Sequence, residues 1–308
     1  MDASPDSLAP PAGEELSASA EGAPLGDVSD TARWVAYFRA LESERRDALF
    51  RDPHARRLAG ERGRAIAMRL RKGPLAWSLA VRTRVFDELI VDAVRTKGVR
   101  TVVNLGAGLD TRPYRLALPS NLRWIEVELP DLLQFKQDAL AGERSVCAVE
   151  RVPLDLGDRA ARNALFEGIG RSDPRAYLVT EGLLVYLDEM EVASLAGDLA
   201  RAFPDGSWLL ENVAPFVLAR QRRRWNEPLR AARAEMKFAP AEGLAFFARH
   251  GWAPRTTKSL LDEAERLGRE MPFARLSRFL FTLFPSHYEK VLGAVVHAVM
   301  EPRSPEDP

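Results

Sequence analysis

From residue 98 to residue 213 the chain alternates short apolar runs with stretches of helical periodicity, and this rhythm constrains its fold more than any other feature. Runs at 100–105 (RTVVNL), 122–127 (LRWIEV), 145–153 (SVCAVERVP), 176–180 (AYLVT) and 207–213 (SWLLENV) have the length and residue types of strands. The clearest helix between them covers 189–203, where Val192, Leu195, Leu199 and Phe203 share a face. Such alternation predicts a parallel sheet covered on both faces, an α/β fold. Possible further strands open at Gly251-Trp252 and over 291–300 (VLGAVVHAVM).

Helices flank this core. Ser29 or Asp30 can cap a first helix carrying Trp34, Phe38, Leu41 and Leu49, broken at Pro53. A second, more basic helical stretch runs to about Arg71, where Lys72-Gly73-Pro74 punctuates the chain ahead of a long helix from Leu75 to Lys97. After Pro215 an Arg-rich helical stretch reaches about Phe238, and another helix is expected over 241–249. The pattern predicts one domain over 29–302, with N-terminal helices at 29–74 and a helical insertion at 216–238, and tails at 1–28 and 303–308.

Charge and cysteine usage narrow the function classes. Residues 1–28 hold six acids, four prolines and no Lys or Arg, the composition of a disordered tail. The remaining 280 residues carry 44 basic against 38 acidic groups, but 38 of the basic ones are Arg spread along the body, and no nucleic-acid-binding motif accompanies them. No nucleic-acid partner is expected. No apolar run approaches the roughly 20 residues of a membrane span, and the N-terminus lacks a signal pattern, so a cytoplasmic protein without a membrane partner is expected. Cys147 has no internal partner, and His54, His250, His287 and His297 lack the paired spacing of a zinc site; no metal is expected. His250 and His297 read as satisfied structural residues.

Chemistry-bearing residues gather where the strands end. The first strand runs into Gly106-Ala107-Gly108, whose glycines let a ligand approach the backbone. The third glycine of a dinucleotide fingerprint is missing: Thr111 stands there, and no glycine follows before Gly142. This favours a nucleoside ligand without a pyrophosphate. About 20 residues on, Glu126 and Glu128 share a face at the end of the second strand, where either could hold a ribose diol. Asp155 follows the third strand and Glu181 the fourth. Ligands of open parallel sheets bind outside the carboxyl ends of strands, so these acids and glycines form a constellation. In the long helix Arg82 falls within the stripe of Leu79, Phe86, Leu89 and Ala93, whereas Arg84 lies with Glu88 and Arg95 on the polar face. A charge on a packed face must meet a protein carboxylate or a ligand anion.

Four segments, VVNLGAGLDTRPYRL (102–116), WIEVELPDLLQFKQ (124–137), VPLDL (152–156) and TEGLLVYL (180–187), resemble in order the leucine carboxyl methyltransferase family of S-adenosylmethionine-dependent enzymes. DPHARRLAG (52–60) and VRTRVFDELI (81–90) are similar to bacterial members, many of them associated with polyketide O-methylation. The resemblance implies a class I methyltransferase fold: a Rossmann-like, mostly parallel seven-stranded sheet with an antiparallel last strand. It also implies S-adenosylmethionine as cofactor. By motif, Arg82 matches the arginine for the methionine carboxylate, and Gly106 and Gly108, with Ala107 between them, match the cofactor loop. Glu128 stands where the family usually has a ribose-binding Asp. Asp155 and Leu156 match the pair near adenine, and Glu181 matches the acid near the methionine end.

The implied activity is methyl transfer to a carboxylate or hydroxyl of a small molecule of the polyketide or another secondary-metabolite class, with the acceptor free or carried on a protein. Protein carboxyl methylation, a non-catalytic cofactor-binding scaffold and a nicotinamide oxidoreductase are the rivals. Oligomeric state is not legible. A carboxylate needs no general base; a hydroxyl does better with one. The Asp110-Thr111-Arg112 segment and Tyr186 are candidates for the substrate side, with Arg112 and Tyr186 the catalytic candidates. The stretch 216–238, with Arg220, Arg222, Arg223, Arg224, Arg230, Arg233 and Lys237, reads either as a solvated helix or as a lid whose charge draws in an acidic acceptor.

Overall fold

The computed structural model describes residues 28–70, 75–231, 235–270 and 295–302. Its centre is a seven-stranded sheet of β1 (Thr101–Leu105), β2 (Arg123–Glu128), β3 (Ala148–Pro153), β4 (Tyr177–Thr180), β5 (Ser207–Val213), β6 (Trp252–Ser259) and β7 (Val295–Pro302). The order across the sheet is β3-β2-β1-β4-β5-β7-β6. The first five strands pair in parallel, and β7 runs antiparallel to both β5 and β6. The chain thus winds outward from β1 in one direction and then in the other. This reversal opens a crevice above the β1 and β4 ends.

Period-two alternation divides the strands between two cores. Val103, Leu105, Ile125, Val127, Leu178, Trp208 and Leu210 pack on one face, against Phe166 and Ile169 of α6 (Arg159–Ser172) and Val192, Leu195 and Leu199 of α7 (Glu189–Ala202). Val102, Trp124, Tyr177, Val179 and Leu209 pack on the other, against Phe86, Ile90 and Ala93 of α3 (Leu75–Thr96). Asp188 caps α7 in a reciprocal pair with Glu191, which pins the start of that helix beside the crevice. Pro254 sits on β6, at the sheet edge, where its missing N–H costs no ladder bond.

A third core sits over the crevice. There Trp34, Tyr37 and Phe38 of α1 (Val28–Ser43), Leu58 and Ile66 of α2 (Ala55–Leu70), Leu79, Leu132 of α5 (Pro130–Ala139), and Leu218 of α8 (Pro215–Ala231) meet. The N-terminal helices therefore roof the carboxyl end of the sheet.

Several boundaries differ from the sequence expectation. α1 ends at Ser43, ten residues before Pro53, so Leu49 lies beyond the helix. α2 is kinked at Gly60, whose φ of 59° and ψ of −174° lie outside the helical region. The expected helix over 241–249 is a turn followed by one helical turn, α9 (Ala245–Ala248). The Arg-rich helix is described over Pro215–Ala231; residues 235–238 are non-helical, with the Lys237 and Phe238 N–H groups both donating to the Val185 carbonyl. The tail expected over 1–28, apart from Val28, and the one over 303–308 lie outside the described residues, as do 291–294. Among the described residues no helix is long and apolar enough to cross a membrane, and no group of His, Cys, Asp and Glu is arranged to hold a metal ion.

Candidate functional site

A cavity of about 610 Å³ opens above the β1 and β4 ends, within the roughly 300–1,000 Å³ range of small-molecule sites. Above β1, β2 and β3 it is lined by Gly106, Ala107, Gly108, Glu128, Asp155 and Leu156. From β5 and the start of α8 come Glu211, Val213, Phe216, Val217, Arg220 and Gln221, and Trp34, Trp77 and Met236 add apolar surface.

The glycine loop is shaped by local necessity. Gly106 has a φ of +63°, and a Cβ there would come within 2.9 Å of the Leu183 side chain. Its N–H and that of Ala107 both donate to the Val127 carbonyl, at 2.9 and 3.1 Å, which bends the chain away from the sheet. Glu128 then ties the loop to the next element. One carboxylate oxygen accepts from Gly108 N at 2.7 Å and the other from Leu129 N at 2.8 Å. Burial pushes the Glu128 carboxyl up in pKa, against these two N–H groups and Lys136.

Glu126 is the first correction. It shares the Glu128 face but lies two residues deeper in the sheet, fully buried and away from the cavity lining. Lys136 of α5 takes one of its oxygens at 2.7 Å and Arg151 of β3 the other at 3.1 Å. Two residues of rise along a strand separate a structural ion pair from a site acid.

Arg82 meets protein carboxylates. Its Nε donates to Glu181 Oε1 at 2.9 Å and its Nη1 to Glu211 Oε2 at 3.2 Å, while Nη2 has no hydrogen bond among the described residues; the side chain lines the cavity. Gly182, with a φ of +68°, lets the chain after β4 pass close by, since a Cβ there would lie 3.2 Å from Arg82 Nη1. Arg84 pairs with Glu88 at 2.8 Å on the outer face, as the helical phase predicts. Arg112, expected on the substrate side, is instead 2% exposed and fully engaged. It binds Asp87 at 2.7 Å, Asp110 at 3.0 Å and Glu181 at 2.7 Å. Arg115 forks onto the same Asp87 at 2.6 and 2.8 Å. This is a positioning network, not a reacting group.

Tyr186 lines the cavity beside Val185 and hydrogen-bonds Thr31 of α1; burial pushes its phenol up in pKa. Asp155 lines it too, with Oδ1 accepting from Gly157 N at 2.8 Å. Neither nitrogen of His297 is hydrogen-bonded: Nε2 lies 3.8 Å from Glu211 Oε1 and the ring packs edge-on to Phe86, 5.5 Å away. The satisfied histidine expected there is therefore an unsatisfied one.

Sequence reasoning missed Glu211, Asp87 and the Arg39–Asp52 pair. Arg39 of α1 donates to Asp52 at 2.9 Å and to the Leu109 carbonyl at 2.5 Å, fastening the roof to the glycine loop. The signal for Glu211 was present, as a lone acid inside an apolar strand.

Burial by itself would raise the Glu211 and Asp110 carboxyls. Arg82 and His297 around Glu211, and Arg112, Lys136 and Arg115 around Asp110, outweigh it and bring both down to about 2. The ordinary values are 4.5 and 3.8, so the unfolded chain binds these protons first as pH falls. The stability they contribute is complete above about pH 4.5 and is lost as pH falls toward about 2. Urea unfolding between about pH 6 and about pH 3 should show this decline, with a shallower slope in Glu211→Gln. An unchanged slope in that variant would remove Glu211 from the account.

Comparison with known proteins agrees with this geometry. The family model for leucine carboxyl methyltransferase matches residues 32–200. A Streptomyces coelicolor protein named as an S-adenosyl-L-methionine-dependent methyltransferase is 35% identical over 78% of this chain and 88% of its own length. One of the same description from Parafrankia is 36% identical over 80% of this chain and 84% of its own. Among solved structures, a methyltransferase from Thermobifida fusca superposes with a TM-score of 0.60 at 16% identity, covering 91% of this chain and 96% of the other; at that identity it speaks for the fold alone. A seven-stranded sheet in this order, a glycine loop and acids at its strand ends, and the family match converge. The chain belongs to the leucine carboxyl methyltransferase family and is a methyltransferase that uses S-adenosyl-L-methionine.

Proposed function

We propose that the chain transfers the methyl group to an oxygen of a small organic molecule, foremost a carboxylate. The observation that carries this reading is the titration state of the cavity wall. Glu211 and Asp110 are held down at about 2, and the Tyr186 phenol is pushed up. Among the described residues no histidine lines the cavity. None of these groups is poised near neutrality to take a proton, which suits an acceptor that is already an anion.

The residues present fit the cofactor. Backbone at Gly106, Ala107 and Gly108 offers a surface without side chains for a nucleoside to lie on, and Glu128 closes one end with acceptors for ribose hydroxyls. Asp155 and Leu156 border the adenine end. At the other end Arg82 keeps Nη2 for a carboxylate, while Glu181 holds it in place. Arg82, Arg112 and Arg115 are held by Asp87, Asp110, Glu181 and Glu211, which fixes the wall at this end of the cavity.

S-adenosylmethionine, when bound, supplies a methyl group on a sulfonium that leaves as a neutral thioether. The protein's own work is alignment and exclusion of water. The α1 roof, pinned by Arg39, is tied to the glycine loop, and the indoles of Trp34 and Trp77 give the cavity apolar wall. The likeness of 52–60 and 81–90 to bacterial members supports a secondary metabolite, of polyketide type, as the acceptor.

The test is methyl transfer from isotopically labelled cofactor to a panel of carboxylic acids, phenols and amines. Label released as methanol by mild base identifies methyl esters. Transfer to amines alone would overturn oxygen methylation; transfer to phenols alone would replace the carboxylate with a hydroxyl.

A further inference from the structure

Among the described residues five arginines line the cavity: Arg39, Arg82, Arg112, Arg115 and Arg220. Four are matched to carboxylates, with Arg39 on Asp52, Arg82 on Glu181 and Glu211, Arg112 on Asp87, Asp110 and Glu181, and Arg115 on Asp87. Arg220 has no ion pair or hydrogen bond among the described residues, and neither has its neighbour Gln221. Among the described residues the other four guanidiniums at this wall are buried or nearly so and are answered by the protein itself, whereas Arg220 is exposed and open to a partner from solution.

Helical phase explains why it is this arginine. Phe216, Val217, Arg220 and Gln221 line the cavity, and positions separated by four residues stack on one face of α8. Arg222 turns away to bind Glu235 at 2.9 Å, and Arg223 is exposed outside the cavity lining. The basic run read from the sequence as one patch is therefore divided, with Arg220 its cavity-facing member among those whose side chains are described. Arg220 lines the cavity from α8, after β5, whereas Glu128 and Asp155 line it after β2 and β3; Trp34, Trp77, Phe216 and Met236 are among the apolar side chains of the same cavity.

We propose that Arg220, with Gln221 beside it, anchors the acceptor by its anionic group, and that the acceptor class is a small carboxylic acid with an apolar body. The apolar walls take the body by burial, and the guanidinium takes the carboxylate in a charge-assisted pair. This deepens the oxygen-methylation reading and rests on it for the identity of the site. It also sets a direction: the acid enters with its charged end toward α8 and its body along the tryptophans.

The probes are decanoate and phenylbutyrate, each paired with its primary amide as a neutral match. Binding is measured by calorimetry to protein saturated with S-adenosylhomocysteine. The acids should bind about tenfold more tightly than their amides, the factor expected of one hydrogen-bonded charge pair. Arg220→Gln should bring each acid to within about twofold of its amide, Arg220→Lys should keep part of the difference, and affinity for S-adenosylhomocysteine should stay unchanged in both. Equal binding of acid and amide to the wild type, no binding of either, or a preference that survives Arg220→Gln would overturn the anchor. The two readings fail separately. Acids that bind through Arg220 without forming methyl esters would sink carboxylate methylation and leave the anchor standing; methyl esters formed equally well by Arg220→Gln would do the reverse.

Discussion

Arg112→Ala is expected to lower the free energy of unfolding by about 3–5 kcal/mol, because it takes one shared cation away from three largely buried carboxylates. Asp110 and Asp87 are buried and Glu181 lies at the cavity wall, and the guanidinium of Arg112 reaches all three. Its cation also stands 5.8 Å from the Phe86 ring centroid, so the deletion removes packing as well as charge. Arg112→Lys should recover little, since a point charge on a flexible stem cannot bridge three acceptors in a plane. Urea unfolding measures the stability term. Calorimetry with S-adenosylhomocysteine should show weakened binding in the same variants, since Glu181 also holds Arg82. A variant of near-normal stability would show that the acids can relax to solvent.

Gly170→Ala should be the most damaging single methyl added to the scaffold, at about 2–3 kcal/mol or more. A Cβ on Gly170 would lie 2.0 Å from the Ala202 carbonyl oxygen, a backbone atom at the end of α7 that no rotamer can move. Two positions earlier in α6, Gly168 has nothing within 4 Å of the same construction. Gly168→Ala should therefore stabilise by about 0.5–1 kcal/mol through helix propensity alone. Opposite shifts in thermal midpoint for the pair are the expected result. A neutral Gly170→Ala would mean that α6 and α7 can separate without loss.

Both effects show where sequence reading reaches its limit. The Arg82 helix position was readable because a packed stripe repeats at helical spacing, and the structure places Arg82 inward and Arg84 outward accordingly. Arg112 was not, because it sits in a one-turn helix, α4 (Arg112–Arg115), too short for any periodicity to show which way it faces. Glu126 and Glu128 are equivalent under strand alternation. Only Lys136, arriving from α5, and Arg151, from the neighbouring strand, take the inner acid away from the cavity. The Arg-rich stretch after Pro215 was legible as a helix beside the crevice. Which of its arginines faces inward depended on the packing of Leu218 into the roof.

What the sequence determined by itself was the alternation that makes a parallel sheet, the glycine loop after its first strand, and acids at the ends of the next three. These follow from local rules: period two in strands, period 3.6 in helices, and positive φ at glycine. What only tertiary structure decided was the partner of each charge. Ion pairs here join residues as far apart as Glu42 and Arg269, 227 positions, and no local pattern carries that information. The burial that makes an unpaired charge costly comes from the assembled sheet, its helices and the α1 roof together. That burial leaves Arg39, Arg82, Arg112 and Arg115 answered from within the protein, while Arg220 stays exposed at the cavity rim.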